Sequence, residues 1–131
     1  MGYYTAVSGQ ILIDPPLRGT TLKKSPFSSP RAGGETQRCL RLDIKEEPAG
    51  PGETGEPVAR RVISVHVERL DAFDMEGELQ ELIDAFPGHT FTGRLQCMGD
   101  DHWNDMWGVI VRNGHAEEVK PTVIWPGDAN T

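Results

Sequence analysis

The sequence contains only two cysteines among its 131 residues, Cys39 and Cys97. That number is too small for a disulfide framework of the kind that stabilises short secreted domains. Each cysteine lies in a run of residues that is typical of a β-strand, where buried free thiols are common. We therefore expect both thiols to be free, and a Cys39–Cys97 disulfide is the less favoured alternative.

The chain also lacks the long apolar run of about 20 residues that is needed to cross a bilayer. Its first residues, MGYYTA, show no basic region followed by an apolar stretch, so they do not resemble a secretory signal. Gly2 is not part of a myristoylation motif, because Ala6 occupies the position where that motif has Ser or Thr. These features predict a cytoplasmic protein that does not interact with membranes.

No cluster of Lys and Arg is present, and the net charge is −7. Residues 71–105 contain nine acids and a single base, Arg94, and so carry −8 of that charge. Phosphate backbones are bound by clustered cations, so direct nucleic-acid binding is not expected. An acidic surface of this kind is compatible with a protein partner that has a basic surface, although a merely solvated helix face has the same composition.

What the sequence does contain is a regular succession of strand and helix patterns. Alternation of apolar and polar residues predicts strands at 3–14, 40–45, 58–68, 90–97, 106–112 and 115–125. Pro15 and Pro16 are expected to end the first strand, and Ile63, Val65 and Val67 to face inward in the third. Asn113-Gly114 is typical of a tight type I′ hairpin. Pro121 favours an edge position or a bulge in the last strand.

One amphipathic helix is predicted at about 74–86. Its apolar positions follow helical spacing and form a single stripe of Met75, Leu79, Leu82, Ile83 and Phe86. Asp71 or Asp74 is placed to cap the first turn, and Pro87-Gly88 ends the helix. The acidic side chains occupy the remaining surface of the helix.

These elements predict a single α+β domain over residues 1–131. We expect a curved, mainly antiparallel sheet of about six strands, in the order β-β-β-α-β-β-β, packed on the helix. The segment 17–27 is expected to cover part of the opposite face of the sheet. A flexible loop is predicted at about 46–57, and a disordered tail at about 127–131.

The best candidate for a site with its own chemistry is the polar loop at 100–105. Its carboxylates, amide and imidazole are potential metal ligands, but the spacing does not match a calcium loop. The four histidines form no metal-ligand motif with either cysteine, and no group of acid, base and nucleophile is recognisable. The sequence therefore predicts no metal, no cofactor and no catalytic residues.

The acidic helix face and the 100–105 loop together form the predicted partner-binding surface. Trp103 could add an aromatic anchor within the loop, although packing of that ring against its own loop is the favoured interpretation. The predicted partner-binding residues are Glu76, Glu78, Glu81, Asp84, Asp100, Asp101, Trp103 and Asp105.

Both ends of the chain carry motifs that resemble a known group of proteins. The opening has MGYYT at residues 1–5, SG at 8–9 and PPL at 15–17; the later part has PGHTFTG at 87–93 and VIWP at 123–126. With these motifs the chain resembles a family of short uncharacterised proteins from actinobacteria and their phages. The family has no established activity, so the resemblance implies an origin and no catalytic residue.

The sequence thus favours a non-enzymatic acidic interaction protein. Given the resemblance, a natural role is that of a phage or mobile-element accessory protein that inhibits a host nucleic-acid-processing or defence complex, with its acids imitating a nucleic acid. The alternatives are a small-ligand or metal-binding module with its pocket on the concave face of the sheet, and, less favoured, a small enzyme.

Overall fold

The computed structural model describes residues 5–19, 22, 25–28, 38–48, 50–52, 55–64, 70, 73–99, 105–122 and 124–126. The strands are β1 (Ala6–Arg18), β2 (Leu40–Pro48), β3 (Gly55–Ser64), β4 (Thr90–Met98), β5 (Met106–Arg112) and β6 (His115–Val119). The helix α1 (Met75–Ala85) lies between β3 and β4, and a 3-10 turn (Pro26–Ser28) follows β1. The predicted α+β class and element order are confirmed.

The six strands form one antiparallel sheet in the order β2-β3-β1-β4-β5-β6. The first strand of the chain is therefore central, and β2 and β6 are the two edges. Helix α1 contacts both of these edge strands. A single helix can reach both edges only if the sheet curls around it, so the predicted curvature is confirmed.

Helix α1 begins and ends where the sequence predicts. The side chain of Asp74 accepts a hydrogen bond from the Gly77 amide at 3.0 Å, which satisfies one of the free donors of the first turn. Met75, Leu79, Leu82 and Ile83 are buried, and Phe86 packs against them from the end of the helix. The predicted apolar stripe is thus the face that α1 turns toward the sheet.

The core lies on the concave side of the sheet. Leu22 and Phe27 belong to the same buried cluster as the helix stripe. The segment after β1 therefore helps α1 to fill the concave side, and the expectation that it would cover the opposite face was wrong. On that opposite, convex face, Leu12 remains 46% exposed.

Strand β1 continues through Pro15-Pro16, which were expected to end it. Its register against β3 passes from Leu12↔Arg61 directly to Leu17↔Ala59. The prolines thus lie in a bulge, where the ladder does not need the amide donors that they lack.

The first hairpin is longer than predicted. Pairing of β2 with β3 extends to Pro48↔Gly55, so residues 46–48 and 55–57, which were assigned to the loop, belong to the strands. A register shift between Leu42 and Ile44 also changes the phase of β3, so that Val62 is buried and Ile63 only partly so. The expectation that Ile63 faces inward was wrong for this reason, and Val65 and Val67 lie outside the described residues.

The last hairpin agrees with the sequence at its turn and differs at its end. Asn113 and Gly114 both have positive φ, 54° and 81°, as the predicted turn requires. Strand β6 is an edge strand, as Pro121 indicated, but it ends at Val119. Ile124 and Trp125 are 64% and 69% exposed, so the prediction of a strand to Trp125 was wrong. The predicted tail at 127–131 lies outside the described residues.

Two glycines allow β1 and β4 to bend closely against each other. Gly9 and Gly93 have φ values of +89° and +122°, and they lie two positions apart in the ladder, opposite Leu95 and Ile11. A Cβ at Gly9 would collide with the backbone oxygen of Arg94, and one at Gly93 with that of Gln10. Such glycine kinks produce the coiling that a strongly curved sheet needs.

This geometry predicts a large penalty for a side chain at Gly93. Gly93→Ala should lower the free energy of unfolding by about 3 kcal/mol, because the left-handed backbone and the collision with Gln10 both oppose it. Gly88→Ala is the matched control, since Gly88 has φ +88° and open space around it. The control should cost only about 1 kcal/mol. Urea unfolding of the two variants tests this, and equal losses would contradict the role of the close contact.

Candidate interaction surfaces

The helix α1 lies between the two edges of the sheet and bonds to both. At the β6 edge, Gln80 Oε1 accepts from the Ala116 amide at 2.7 Å, and Glu76 Oε2 accepts from the Glu118 amide at 2.7 Å. Ala116 and Glu118 alternate with the residues of β6 whose amides point at β5, so these are outward-facing edge donors. Helix side chains therefore take the place of a seventh strand.

At the opposite edge, Glu78 performs the same task for the start of β2. Its carboxylate accepts from the Cys39 amide at 3.0 Å and from the Leu40 amide at 3.3 Å. The Cys39 thiol also donates to it at 3.4 Å. Glu78 was predicted to face a partner, but the structure uses it internally, because unpaired strand amides need an acceptor.

The outer side of α1 keeps two of the predicted acids at the surface. The side chain of Glu81 is 54% exposed and lies 2.9 Å from Arg38 Nη1. Asp84 is exposed, and its Oδ1 accepts from Gln80 Nε2 at 3.1 Å. Gln80 Nε2 donates to Gly114 O as well, at 3.2 Å, so the same side chain holds Asp84 close to the β5–β6 turn.

Strand β6 adds two acids that sequence reasoning did not assign to the surface. Glu117 and Glu118 are both exposed on this strand, and Glu118 is joined to Glu76 through its amide. Glu117 Oε2 lies 3.9 Å from Arg112 Nη1. The alternation of residues 115–119 was visible in the sequence, but only the packing of α1 on this edge brings Glu118 beside the helix, whereas Glu117 lies opposite Ile110 in the ladder. We call the carboxylates of exposed Glu81, Asp84 and Glu118, together with that of half-buried Glu76, the acidic face.

The 100–105 loop can be placed only at its end. Asp100, Asp101 and Trp103 lie outside the described residues, as do His66 and His102. Asp105 is partly buried, and its backbone oxygen accepts from the Gly99 amide at 2.9 Å, which closes the loop onto β5. Within the described ranges, no group of three or more His, Cys, Asp or Glu side chains is arranged to hold a metal ion.

Both cysteines are free and buried. Burial raises the pKa of the Cys97 thiol to about 11. The pKa of Cys39 is raised further, first by burial and then by the adjacent Glu78 carboxylate. Because the thiolate is the reactive form, neither group suits nucleophilic catalysis at neutral pH.

Side chains of α1 pack against the concave face together with Leu22 and Phe27. A pocket on that face was the expectation of the small-ligand alternative. In the described part of the chain, no helix is both long and apolar enough to cross a membrane.

Comparison with known proteins gives one match. The sequence model of DUF6205, a family of unknown function, matches residues 1–131. No curated protein and no solved structure matches the chain. The predicted membership of an uncharacterised family is confirmed, whereas an actinobacterial or phage origin stays a prediction.

The edge bonds of Glu78 predict a structural role for this carboxylate. Glu78→Ala should lower the free energy of unfolding by about 2 kcal/mol, because two strand amides lose their acceptor in a partly buried place. Glu81→Ala is the matched control, since it removes an exposed ion pair worth less than about 1 kcal/mol. Chemical unfolding of both variants measures the difference. Similar small losses would show that Glu78 is dispensable for the fold.

The raised thiol pKa values predict a loss of stability at alkaline pH. Above the usual value of 9.0 the unfolded chain releases the Cys97 proton, whereas the folded chain keeps it up to about pH 11. Stability should therefore fall as pH rises between those values, by at most about 1.4 kcal/mol per pH unit for this group. The Cys97→Ala variant should show a shallower fall in urea unfolding across this range. If stability fell with pH equally steeply in the variant and in the unaltered chain, the raised pKa of Cys97 would be refuted.

Proposed function

We propose that this chain, which belongs to the DUF6205 family, is a non-enzymatic interaction protein whose acidic face binds a partner with a basic surface. The observation that carries the proposal is the joining of α1 to β6, which places Asp84 on the same side of the helix as Glu76 and Glu118. Glu81 lies on the outer side of the same helix, toward Arg38. Carboxylates from two elements thus form one surface that no single sequence motif contains.

The electrostatics of this surface support a basic partner. A carboxylate that accepts an amide hydrogen bond keeps its negative charge, so Glu76 contributes to the field although its oxygen is engaged. Within the acidic face, an ion pair joins Glu81 to Arg38, so that this cation offsets the charge of Glu81 and not that of the other three acids. A net negative field of this kind speeds the encounter with a cationic surface and disfavours contact with phosphate backbones.

A non-enzymatic role agrees with the chemistry of the described side chains. Both thiols are held in their protonated form near neutral pH, and the acids that bond most closely serve the edges of the sheet. Catalysis requires an acid, a base or a nucleophile that is free to act on a substrate. The acidic face offers charge and hydrogen-bond acceptors, which is what recognition of Lys and Arg requires.

The finer form of the proposal concerns the identity of the partner. The resemblance of the terminal motifs to actinobacterial and phage proteins suggests that the chain is an accessory protein of a phage or mobile element, acting in the cytoplasm. In that setting the acidic face occupies a groove that normally holds phosphates, and thereby inhibits a host nucleic-acid-processing or defence complex. Asp100, Asp101, Trp103 and Asp105 would extend this surface.

The test is capture of partners from a lysate of the source organism with matched variants. The first variant combines Glu81→Gln, Asp84→Asn and Glu118→Gln, which spare the edge bonds of Glu76 and Glu78. The control combines Asp14→Asn, Glu46→Gln and Glu56→Gln, so that the net charge changes equally while the acidic face stays intact.

We expect the first variant to lose the partner and the control to keep it. Capture by the unaltered chain should also fall at about 1 M salt, where the screening length is about 3 Å. The captured partner should release nucleic acid when the chain is added, if the finer proposal is right. Equal capture by both variants would overturn the role of the acidic face.

A further inference from the structure

A groove of about 200 Å³ opens on the convex face of the sheet, away from α1 and the acidic face. Strands β4, β5 and β6 form it, and Gly108 lies at its centre, opposite Gln96 and Val119. A side chain at Gly108 would collide with the backbone oxygen of Leu95. Because Gly108 has no side chain, a depression remains on β5 between Met106 and Ile110, the two residues that flank it on the same face of the strand.

The walls of the groove are largely apolar, with Met106, Ile110, Val119 and Pro121 among them. Met98 pairs with Met106 and is 37% exposed, which continues the apolar surface along the convex face. Two further exposed apolar residues, Ile124 and Trp125, come three and four positions after Pro121 in the sequence. An apolar centre of this kind with a charged border has the anatomy of a protein interface.

Two cations border the groove, Arg94 and Lys120. Neither forms an ion pair with any residue that the structure describes. On β3, by contrast, Arg60 pairs with Glu47 at 2.7 Å and Arg61 with Asp43 at 2.7 Å, whereas Arg41 on β2 forms no ion pair within the described residues. The nearest acid in the β6 row, Glu117, is turned to Arg112. On a chain with a net charge of −7, two unpaired cations at one groove indicate an anionic occupant.

The size of the groove decides between classes of occupant. Pockets for drug-sized ligands span about 300–1,000 Å³, which is more than this groove offers. An apolar cavity of about 150 Å³ accepts a benzene ring, so one aromatic side chain matches the space. A phosphate backbone would need a longer row of cations than Arg94 and Lys120 provide.

We infer that this groove binds a protein segment that inserts one aromatic side chain between Met106 and Ile110 and places flanking carboxylates on Arg94 and Lys120. The segment is thus acidic, whereas the partner of the acidic face is basic. The inference goes beyond the proposed function and uses a separate surface, so either can fail without the other.

The test uses a set of synthetic peptides with a central Trp, Phe, Tyr or Leu, each flanked by Asp and Glu, by Ser, or by Lys. Binding to the full chain is measured by fluorescence polarisation of labelled peptides. We expect the aromatic peptides with acidic flanks to bind best. The double variant Arg94→Glu/Lys120→Glu should weaken their binding at least about fivefold and restore binding of the peptides with Lys flanks.

Three controls make the result specific. Lys45→Glu changes the charge of another exposed lysine and should leave binding unchanged. Ile110→Lys should abolish binding whatever the flanks, because it fills the groove with a charged chain. The variant with Glu81→Gln, Asp84→Asn and Glu118→Gln should bind the acidic peptides at least as well as the unaltered chain. All variants are compared with the unaltered chain by their urea unfolding midpoints.

Two results would overturn the inference. The first is equal affinity of the unaltered chain for peptides with acidic and basic flanks, or no binding of either. The second is a dimer in sedimentation that Ile110→Lys dissociates, since the groove would then hold a second copy of this chain.

Discussion

The fold depends on how the free edges of its sheet are satisfied. An open six-stranded sheet leaves outward-facing amides on β2 and β6, and such edges otherwise pair with other chains. Here the acceptors are side chains of one helix: Glu78 at the β2 edge, Gln80 and Glu76 at the β6 edge. Because these three residues lie within five positions of α1, a single turn and a half of helix joins both edges.

This arrangement also explains why the polar face of α1 is not uniform. A helix whose backbone is internally bonded can satisfy a strand only through its side chains, and carboxylate or amide oxygens are the acceptors with sufficient reach. Part of the acidic composition of the helix is thus required by the sheet. Among the described residues, Glu81 and Asp84 accept from no strand amide. The sheet does not need these two carboxylates, so they can serve a partner instead.

The features that sequence reasoning predicted correctly are local. The stripe of α1, the Asp74 cap and the Asn113-Gly114 turn each depend on residues within one element, and each is confirmed. The errors arise where two strands decide the outcome together. Pro15 is tolerated because it lies in a bulge of β1 whose residues do not pair with β3. Val62 is buried because the register of β3 shifts between its partners Leu42 and Ile44 on β2.

The same distinction applies to the candidate surfaces. The excess of acids in 71–105 was evident from composition, but only the packing of α1 decides that Glu78 reaches the amides at the β2 edge and that Glu81 instead pairs with the Arg38 side chain. Glu118 on β6 joins the acidic face because its amide bonds to Glu76 on the helix. The spacing of residues in the sequence does not reveal this contact. The convex groove likewise depends on the row Gln96, Gly108 and Val119, which belong to three different strands.

The sheet itself keeps the two surfaces apart. The acidic face lies on the side of α1, whereas Arg94 lies on the convex side and two strands away from Glu118, so that about 10 Å or more separates these opposite charges. That distance is close to the screening length in physiological salt, about 8 Å, and attraction between Arg94 and the acidic face is therefore weak. Arg94, which forms no ion pair within the described ranges, consequently remains available although the chain is acidic overall. Lys120 lies only two residues from Glu118, so its charge is closer to the acidic face. If both proposals hold, a basic partner on the acidic face and an acidic segment in the groove would occupy different sides of the sheet and would not compete for the same residues.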